Sequence, residues 1–250
     1  MKREPEAITG FRAVHSGLIG DVHQLVASYP RVPLTVDCVV FGFDENELRV
    51  LLIESDISIF EGKWTLLGDF VQDDETLDAA AHRVFRDRTG MSDIYLEEVK
   101  SFSDPQRHPG GRVITMAYCS LVNIKHHTLR KLDNALHWHS IHEIKDMGFD
   151  HEAIVHTCYT WLQKRIQEHP LGFNLLPDKF SLRELQNLYE AILDIRLDRR
   201  NFRKKFFSMN LLIDTGEYEI DVPHRPGRLY RFDFAKFERQ KKKWIGIDFA

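Results

Sequence analysis

The hydrophobic period of this chain switches from strand-like to helical near residue 76, and that switch constrains the fold more than any other feature. From Leu34 the sequence runs LTVDCVVFGF, a polar DENE, then LRVLLIES. Two β-rich runs separated by four polar residues make a hairpin that buries Val, Leu and Ile on one or both faces. Another short strand follows from Trp64 to Leu67. Across residues 76–89, Leu77, Ala80, Ala81, Val84 and Phe85 recur at the helical period, with Thr76 able to cap and Gly90 to stop the helix. IYLEEVKSFSDP and RVITMAYCSLVN are two further strands, joined by a polar loop from Pro105 to Gly111, and ALHWHSIHEI is short and mixed. HEAIVHTCYTWLQKRIQEHP is a helix with Ala153, Ile154, Thr157, Cys158, Trp161, Leu162 and Ile166 toward a core and Pro170 as its stop. A mixed sheet with at least two helices, of α+β class, therefore closes near residue 170.

The pattern then changes. Ser181 can cap LRELQNLYEAIL, Glu184 stands at the capping-box position, and Leu185, Leu188, Tyr189 and Ile192 form an apolar stripe. After DIRL, Asp198 is a second candidate cap, for the helix RRNFRKKFFSM; LLIDTGEYEI and RLYRFDF follow as strands linked by the turn-rich DVPHRPG. Helix, turn, helix and hairpin in this order are the layout of a winged helix-turn-helix. The expected organisation is an N-terminal extension over residues 1–33, a first domain over 34–170, and a winged helix with its tail over 171–250. The extension packs on a domain or on a partner subunit.

Charge divides at the same boundary. Residues 1–170 carry 18 Lys/Arg against 26 Asp/Glu, whereas residues 171–250 carry 16 against 12, so the two parts suit different partners. Cys38, Cys119 and Cys158 are odd in number and widely spaced, which argues against a disulfide framework or a zinc knuckle and for buried thiols. No stretch approaches the run of apolar residues needed to span a bilayer, and the N-terminus lacks the apolar core of a secretory signal, so a cytoplasmic location is expected.

The second helix of the C-terminal part is the most basic element. Arg199 and Arg203 share one face, Arg200 and Lys204 the adjacent one, and Phe202, Phe206 and Met209 can face the core. Such a helix can enter a DNA major groove, with guanidinium groups on phosphates or on guanine edges and Asn201 positioned to read adenine. His224, Arg225 and Arg228 in the wing add cations suited to the phosphate backbone or minor groove. A charged run is also what the solvated face of a surface helix looks like; the helix before it and the basic hairpin after it favour DNA.

Residues 66–91, LLGDFVQDDETLDAAAHRVFRDRTGM, resemble the signature box of Nudix hydrolases. Glu75, Arg83, Phe85, Gly90 and Met91 fit that pattern at the right spacing, while Asp69 stands where it has a glycine. The departures fall on the chemistry. In Nudix enzymes three glutamates of the box helix hold magnesium; the matching positions here are Val84, Asp87 and Arg88. Helical spacing puts the three on one surface, but Val84 offers no oxygen and Arg88 brings a positive charge where a cation would sit. No catalysis, cofactor or metal ion is expected, with Glu75 and Arg83 holding the loop before the helix and Phe85 filling the core.

An eroded Nudix box followed by a winged helix resembles the Nudix-related bacterial transcriptional regulators of NAD-cofactor synthesis or pentose use, over about residues 34 to 236. The resemblance implies homodimers that bind double-stranded palindromic operators and alter that binding when a metabolite occupies the Nudix-like domain. It also implies an effector that is ADP-ribose in one branch and a sugar such as L-arabinose in another. A diphosphate would want cationic donors, for which Arg83, Arg86, Arg88, Arg107 and Arg112 are available. A sugar would want aromatic faces and hydroxyl partners, for which Trp64, Trp138, Asp69, His137 and His139 are candidates, with Trp64 and Arg112 at places that look common to both branches. The wording of the box and of PQRHPGGRV favours the pentose. The expected effector site is Trp64, Asp69, Arg112, His137 and Trp138, and the alternatives are an ADP-ribose sensor, a residual hydrolase of nucleoside diphosphate derivatives, or a module that binds only another protein.

Overall fold

The structure, a computed structural model, describes residues 26–44, 47–92, 94–124, 136–169, 172, 175–223 and 225–240. Residues 33–250 group as one compact unit, separate from residues 1–32. Of the N-terminal extension only residues 26–33 are described.

The first part is built on a seven-stranded mixed sheet. Strand β1 (Leu34–Phe43) runs parallel to β6 (Ile114–Asn123) and antiparallel to β2 (Leu48–Glu54) and β4 (Leu67–Phe70). Outward from these, β3 (Trp64–Thr65) and β7 (Leu136–Ser140) pair with β2, and β5 (Glu97–Phe102) pairs with β6. The period-two alternation of β1 supplies two cores. Val36, Cys38 and Val40 meet Ala80, Ala81, Val84 and Phe85 of helix α1 (Leu77–Thr89) on one face. Val39, Phe41 and Phe43 meet Ile154, Cys158 and Leu162 of helix α2 (His151–Glu168) on the other.

Local chemistry sets the boundaries. Thr76 Oγ1 accepts from the Ala79 N–H at 3.2 Å at the start of α1, and Gly90, at φ 71°, ends it in the left-handed conformation that glycine adopts without strain. The single strand expected over 64–67 is two strands, because the Leu66 N–H leaves the sheet and donates to His151 Nδ1 at 2.9 Å. Helix α2 also differs in detail: Val155 is buried and Ala153 exposed, so its stripe is Ile154, Val155, Cys158, Leu162 and Ile166. All three cysteines are free, buried thiols, and burial pushes that of Cys158 up to about 12.

The C-terminal part is a winged helix. Helix α3 (Leu182–Leu193), helix α4 (Arg199–Ser208) and a three-stranded sheet of β8 (Phe180–Ser181), β10 (Arg228–Phe232) and β9 (Leu212–Tyr218) precede a final helix α5 (Phe234–Gln240). The capping box forms in full: Ser181 Oγ accepts from the Glu184 N–H at 3.3 Å, and Glu184 Oε2 accepts from the Ser181 N–H at 2.7 Å. Asp198 Oδ1 accepts from the Asn201 N–H at 2.8 Å and caps α4. Phe202 and Phe206 of α4 pack their rings on Tyr189 of α3 at 5.9 and 5.3 Å between centroids, which fixes the rotation of α4 with its basic positions exposed.

The two parts share a core. Leu162 and Ile166 of α2 belong to the same buried cluster as Leu185, Leu188 and Ile192 of α3, and Gln163 Nε2 donates to the Ile192 carbonyl at 3.2 Å. Helix α2 thus reaches from the sheet to the winged helix.

Candidate functional site

A cavity of about 370 Å³ opens at the end of the sheet. Thr35 and Asp37 of β1, residues 53–57 at and beyond the end of β2, Leu67 to Phe70 of β4, Arg88 of α1, Arg107 and His108 of the loop before β6, and Phe149 and His151 line it. Asp37 is its buried polar centre: Thr115 Oγ1 donates to Oδ2 at 2.7 Å, Arg107 Nη2 lies 3.6 Å from the same oxygen, and His151 Nε2 lies 3.5 Å from Oδ1. Arg107 makes its main pair with Asp150, donating from Nε at 2.9 Å and from Nη2 at 2.6 Å. Burial lowers the His151 pKa, so the ring is neutral; because Nδ1 accepts from Leu66, its proton is on Nε2, toward Asp37. A side chain at Gly68 would place its Cβ 2.2 Å from Asp37 Oδ1, which explains a glycine in this strand. Phe149 stacks on His108 at 5.2 Å between ring centroids and gives the cavity an aromatic wall.

The box residues hold the rim. Arg83 donates to Glu75 at 3.0 and 2.7 Å, to Asp69 Oδ2 at 3.1 Å and to the Phe70 carbonyl at 2.9 Å, fastening the loop before α1 to its helix. The Arg83 hydrogen bonds hold the Glu75 carboxyl below the usual carboxylate range. These partners leave Glu75 and Arg83 little freedom for chemistry. Nor do the residues fit the magnesium of Nudix enzymes. Val84 is buried in the core, Asp87 accepts from Arg86 at 3.2 Å, Arg88 faces the cavity, and among the described residues no group of three His, Cys, Asp or Glu could hold a metal ion.

Of the five residues expected to form the effector site, only Asp69 lines this cavity. Trp64 and His137 come together, their rings 5.3 Å apart with His139 4.3 Å from Trp64, but outside the cavity lining. Trp138 alternates to the opposite face of β7 and packs against the core under α1. Arg112 is exposed in the loop before β6, away from the lining. Asp37, His108, Phe149, Asp150 and His151 are not among the residues that the sequence points to. A lone aspartate inside an apolar strand, LTVDCVV, was the one available signal for Asp37.

A second, strongly basic cleft of about 550 Å³ lies between the start of α3, helix α4 and the base of the wing. Arg183, Arg199, Arg203, Arg225 and Arg228 line it together with Gln186. Arg228 is held by Asp214 at 2.5 Å and by the Tyr218 hydroxyl at 3.1 Å, and these partners raise its pKa further. Arg199, Arg200, Asn201, Arg203 and Lys204 are all exposed. The side chains of Arg183, Arg199, Arg200, Arg203 and Lys204 make no hydrogen bond or ion pair among the described residues. Arg200, Asn201 and Lys204 point away from the cleft lining, and His224 lies outside the described residues. Two unpaired arginines in the first turn of α4 oppose its helix dipole, a local cost that an external anion would offset.

The fold and its two clefts define a Nudix domain joined to a winged helix. A NUDIX domain model matches residues 31–158, and a model of the NrtR DNA-binding winged helix domain matches residues 172–232. The chain belongs to this family of Nudix-domain proteins with an NrtR-type winged helix. It is 31% identical over 218 residues, 85% of this chain and 86% of its relative, to the ADPR responsive transcriptional repressor NtrR of Acinetobacter baylyi. It is similar to Shewanella oneidensis NrtR in a crystal structure with a 27mer DNA, at 26% identity and a TM-score of 0.69, covering 80% of this chain and 93% of that one. The Nudix domain of that Shewanella protein, in complex with ADP ribose, has the same fold at 23% identity and a TM-score of 0.50, over 57% of this chain and 99% of that domain.

These findings correct the expected effector. A pentose such as L-arabinose was favoured on the wording of the box and of PQRHPGGRV, but the relative that matches both domains is ADPR responsive. Trp64 and Trp138, the aromatic faces offered to a sugar, both lie outside the cavity lining. No helix among the described residues is long and apolar enough to cross a membrane.

Proposed function

We propose that this protein is a transcriptional regulator that binds DNA through its winged helix and ADP-ribose in the cavity of its Nudix domain, and that it hydrolyses neither ADP-ribose nor related diphosphates. The observation that carries this reading is the relative that matches across both domains and is named an ADPR responsive transcriptional repressor. The cavity is of a size suited to a small metabolite. Catalytic silence is supported by Val84 and Arg88, which replace two of the three metal-holding carboxylates. Helix α2 supplies the route between the sites, since it starts at His151 in the cavity wall and its later turns pack on α3.

On the DNA side, Arg199 and Arg203, with Arg183, Arg225 and Arg228 across the cleft, take the phosphate backbone, and Arg200, Asn201 and Lys204 enter the groove. Two copies of the chain present two α4 helices to two half-sites, since one helix carries few base contacts. Arg203→Ala then weakens operator and scrambled DNA alike, while Asn201→Ala reduces the preference for operator.

Calorimetric titration of the full chain tests the effector. ADP-ribose should bind saturably, with affinity that falls as salt rises because the ligand is anionic, and L-arabinose should not bind. Absence of ADP-ribose binding refutes the assignment. Turnover of ADP-ribose with magnesium or manganese that disappears in Asp87→Asn would refute catalytic silence.

A further inference from the structure

Five arginines lie on the box helix or in the loop before β6, and their partners sort them. Arg83 is fastened to Glu75 and Asp69, Arg86 to Asp87, and Arg107 to Asp150 and Asp37. Arg112 is outside the cavity lining. Arg88 alone combines a place in the lining with a side chain that makes no hydrogen bond or ion pair among the described residues. Its position in the last turn of α1 does not explain it: the helix dipole favours a base there, but Arg86 meets that preference while engaging Asp87. The lining also carries the carboxylates of Asp37, Glu54, Asp56 and Asp69, which repel an anion and accept from hydroxyl groups. The cavity thus offers an unpaired cation to a diphosphate and carboxylates to the hydroxyl groups of a sugar.

We propose that Arg88 takes the place of the metal ion in this cavity: its guanidinium holds the diphosphate of a nucleoside diphosphate sugar, so that the ligand binds without a divalent cation. The inference rests on the ADP-ribose reading above and adds to it the group that recognises the charge. Planar guanidinium donors match phosphate oxygens in pairs, which a hydrated magnesium ion held by carboxylates would otherwise do. With Val84 in one ligand position and Arg88 in another, magnesium has neither the oxygen donors nor the negative field it needs.

The test titrates ADP-ribose into the full chain in excess EDTA and again in excess magnesium, for the natural protein and for Arg88→Gln and Arg88→Lys. The natural protein should bind equally in both buffers, within about twofold, and Arg88→Gln should weaken binding by more than about tenfold in both, with Arg88→Lys in between. Arg88 is exposed, so the melting temperature without ligand should stay unchanged and serves as the folding control. Loss of affinity in EDTA, or an Arg88→Gln protein that binds like the natural one, would overturn the proposal while leaving ADP-ribose as the ligand. No binding in either buffer overturns the ligand assignment and this inference with it.

Discussion

The two clefts of this molecule treat arginine in opposite ways. Around the Nudix cavity two arginines are spent on neighbouring carboxylates, Arg83 at the rim on Glu75 and Asp69 and Arg107 in the lining on Asp150 and Asp37, which leaves Arg88. In the winged helix Arg183, Arg199, Arg200 and Arg203 have no such partners among the described residues, and Asp198 is occupied by the cap of α4. A paired, buried arginine contributes to folding, because removing it strands a carboxylate in a poor solvent. An unpaired, exposed arginine contributes little to folding and is available to a partner. Arg107 and Arg203 should therefore give opposite phenotypes.

Arg107→Ala breaks this comparison most directly on the folding side. It leaves Asp150, and in part Asp37, without their cation, and should cost about 3–5 kcal/mol in chemical denaturation. Leu188→Ala, in the core that α3 shares with α2, should cost about 2–5 kcal/mol and should also weaken the response of DNA binding to ADP-ribose. Asp198→Ala removes the cap of α4 and should cost about 1 kcal/mol, with weaker DNA binding because the helix start frays. Arg203→Ala should leave stability within about 0.5 kcal/mol yet reduce the slope of DNA affinity against salt by about one unit, as loss of a phosphate contact does. An unchanged slope with lost sequence preference would instead place it on a base.

The smallest expected effect is a pH slope. Burial lowers the His151 pKa below its ordinary 6.5, so the unfolded chain binds a proton that the folded chain refuses. Its contribution to stability is present above that ordinary value and is lost as pH falls below it. His151→Asn, which keeps an acceptor for the Leu66 N–H, should flatten the dependence of the urea midpoint on pH in this range.

Elements with a strong local signal were legible in the sequence. Thr76, Gly90, Ser181 with Glu184, and Asp198 each act on backbone groups within four residues, so their caps form as the residue types and spacing imply. The basic face of α4 was legible because Phe202 and Phe206 leave the charged positions only one side. The cavity was not. Asp37, Arg107, Asp150 and His151 are distant in sequence and meet only when the parallel pairing of β1 with β6 and the start of α2 bring them together. Trp138 misled for a related reason, since the strand alternation of β7 decides which of its neighbours shares a face with Trp64. The break at Leu66 depends on a histidine 85 residues away.

The central claim, that occupancy of the Nudix cavity controls the winged helix, is tested most directly by DNA affinity with and without the effector. A duplex selected by the full chain from a random pool, labelled for fluorescence anisotropy, would be titrated with the protein at one fixed salt concentration, alone and with saturating ADP-ribose. ADP-ribose should weaken binding by about tenfold or more, equivalent to at least about 1.4 kcal/mol of coupling, and L-arabinose should have no effect. DNA affinity unchanged by ADP-ribose under conditions where calorimetry shows the ligand bound would contradict the central claim.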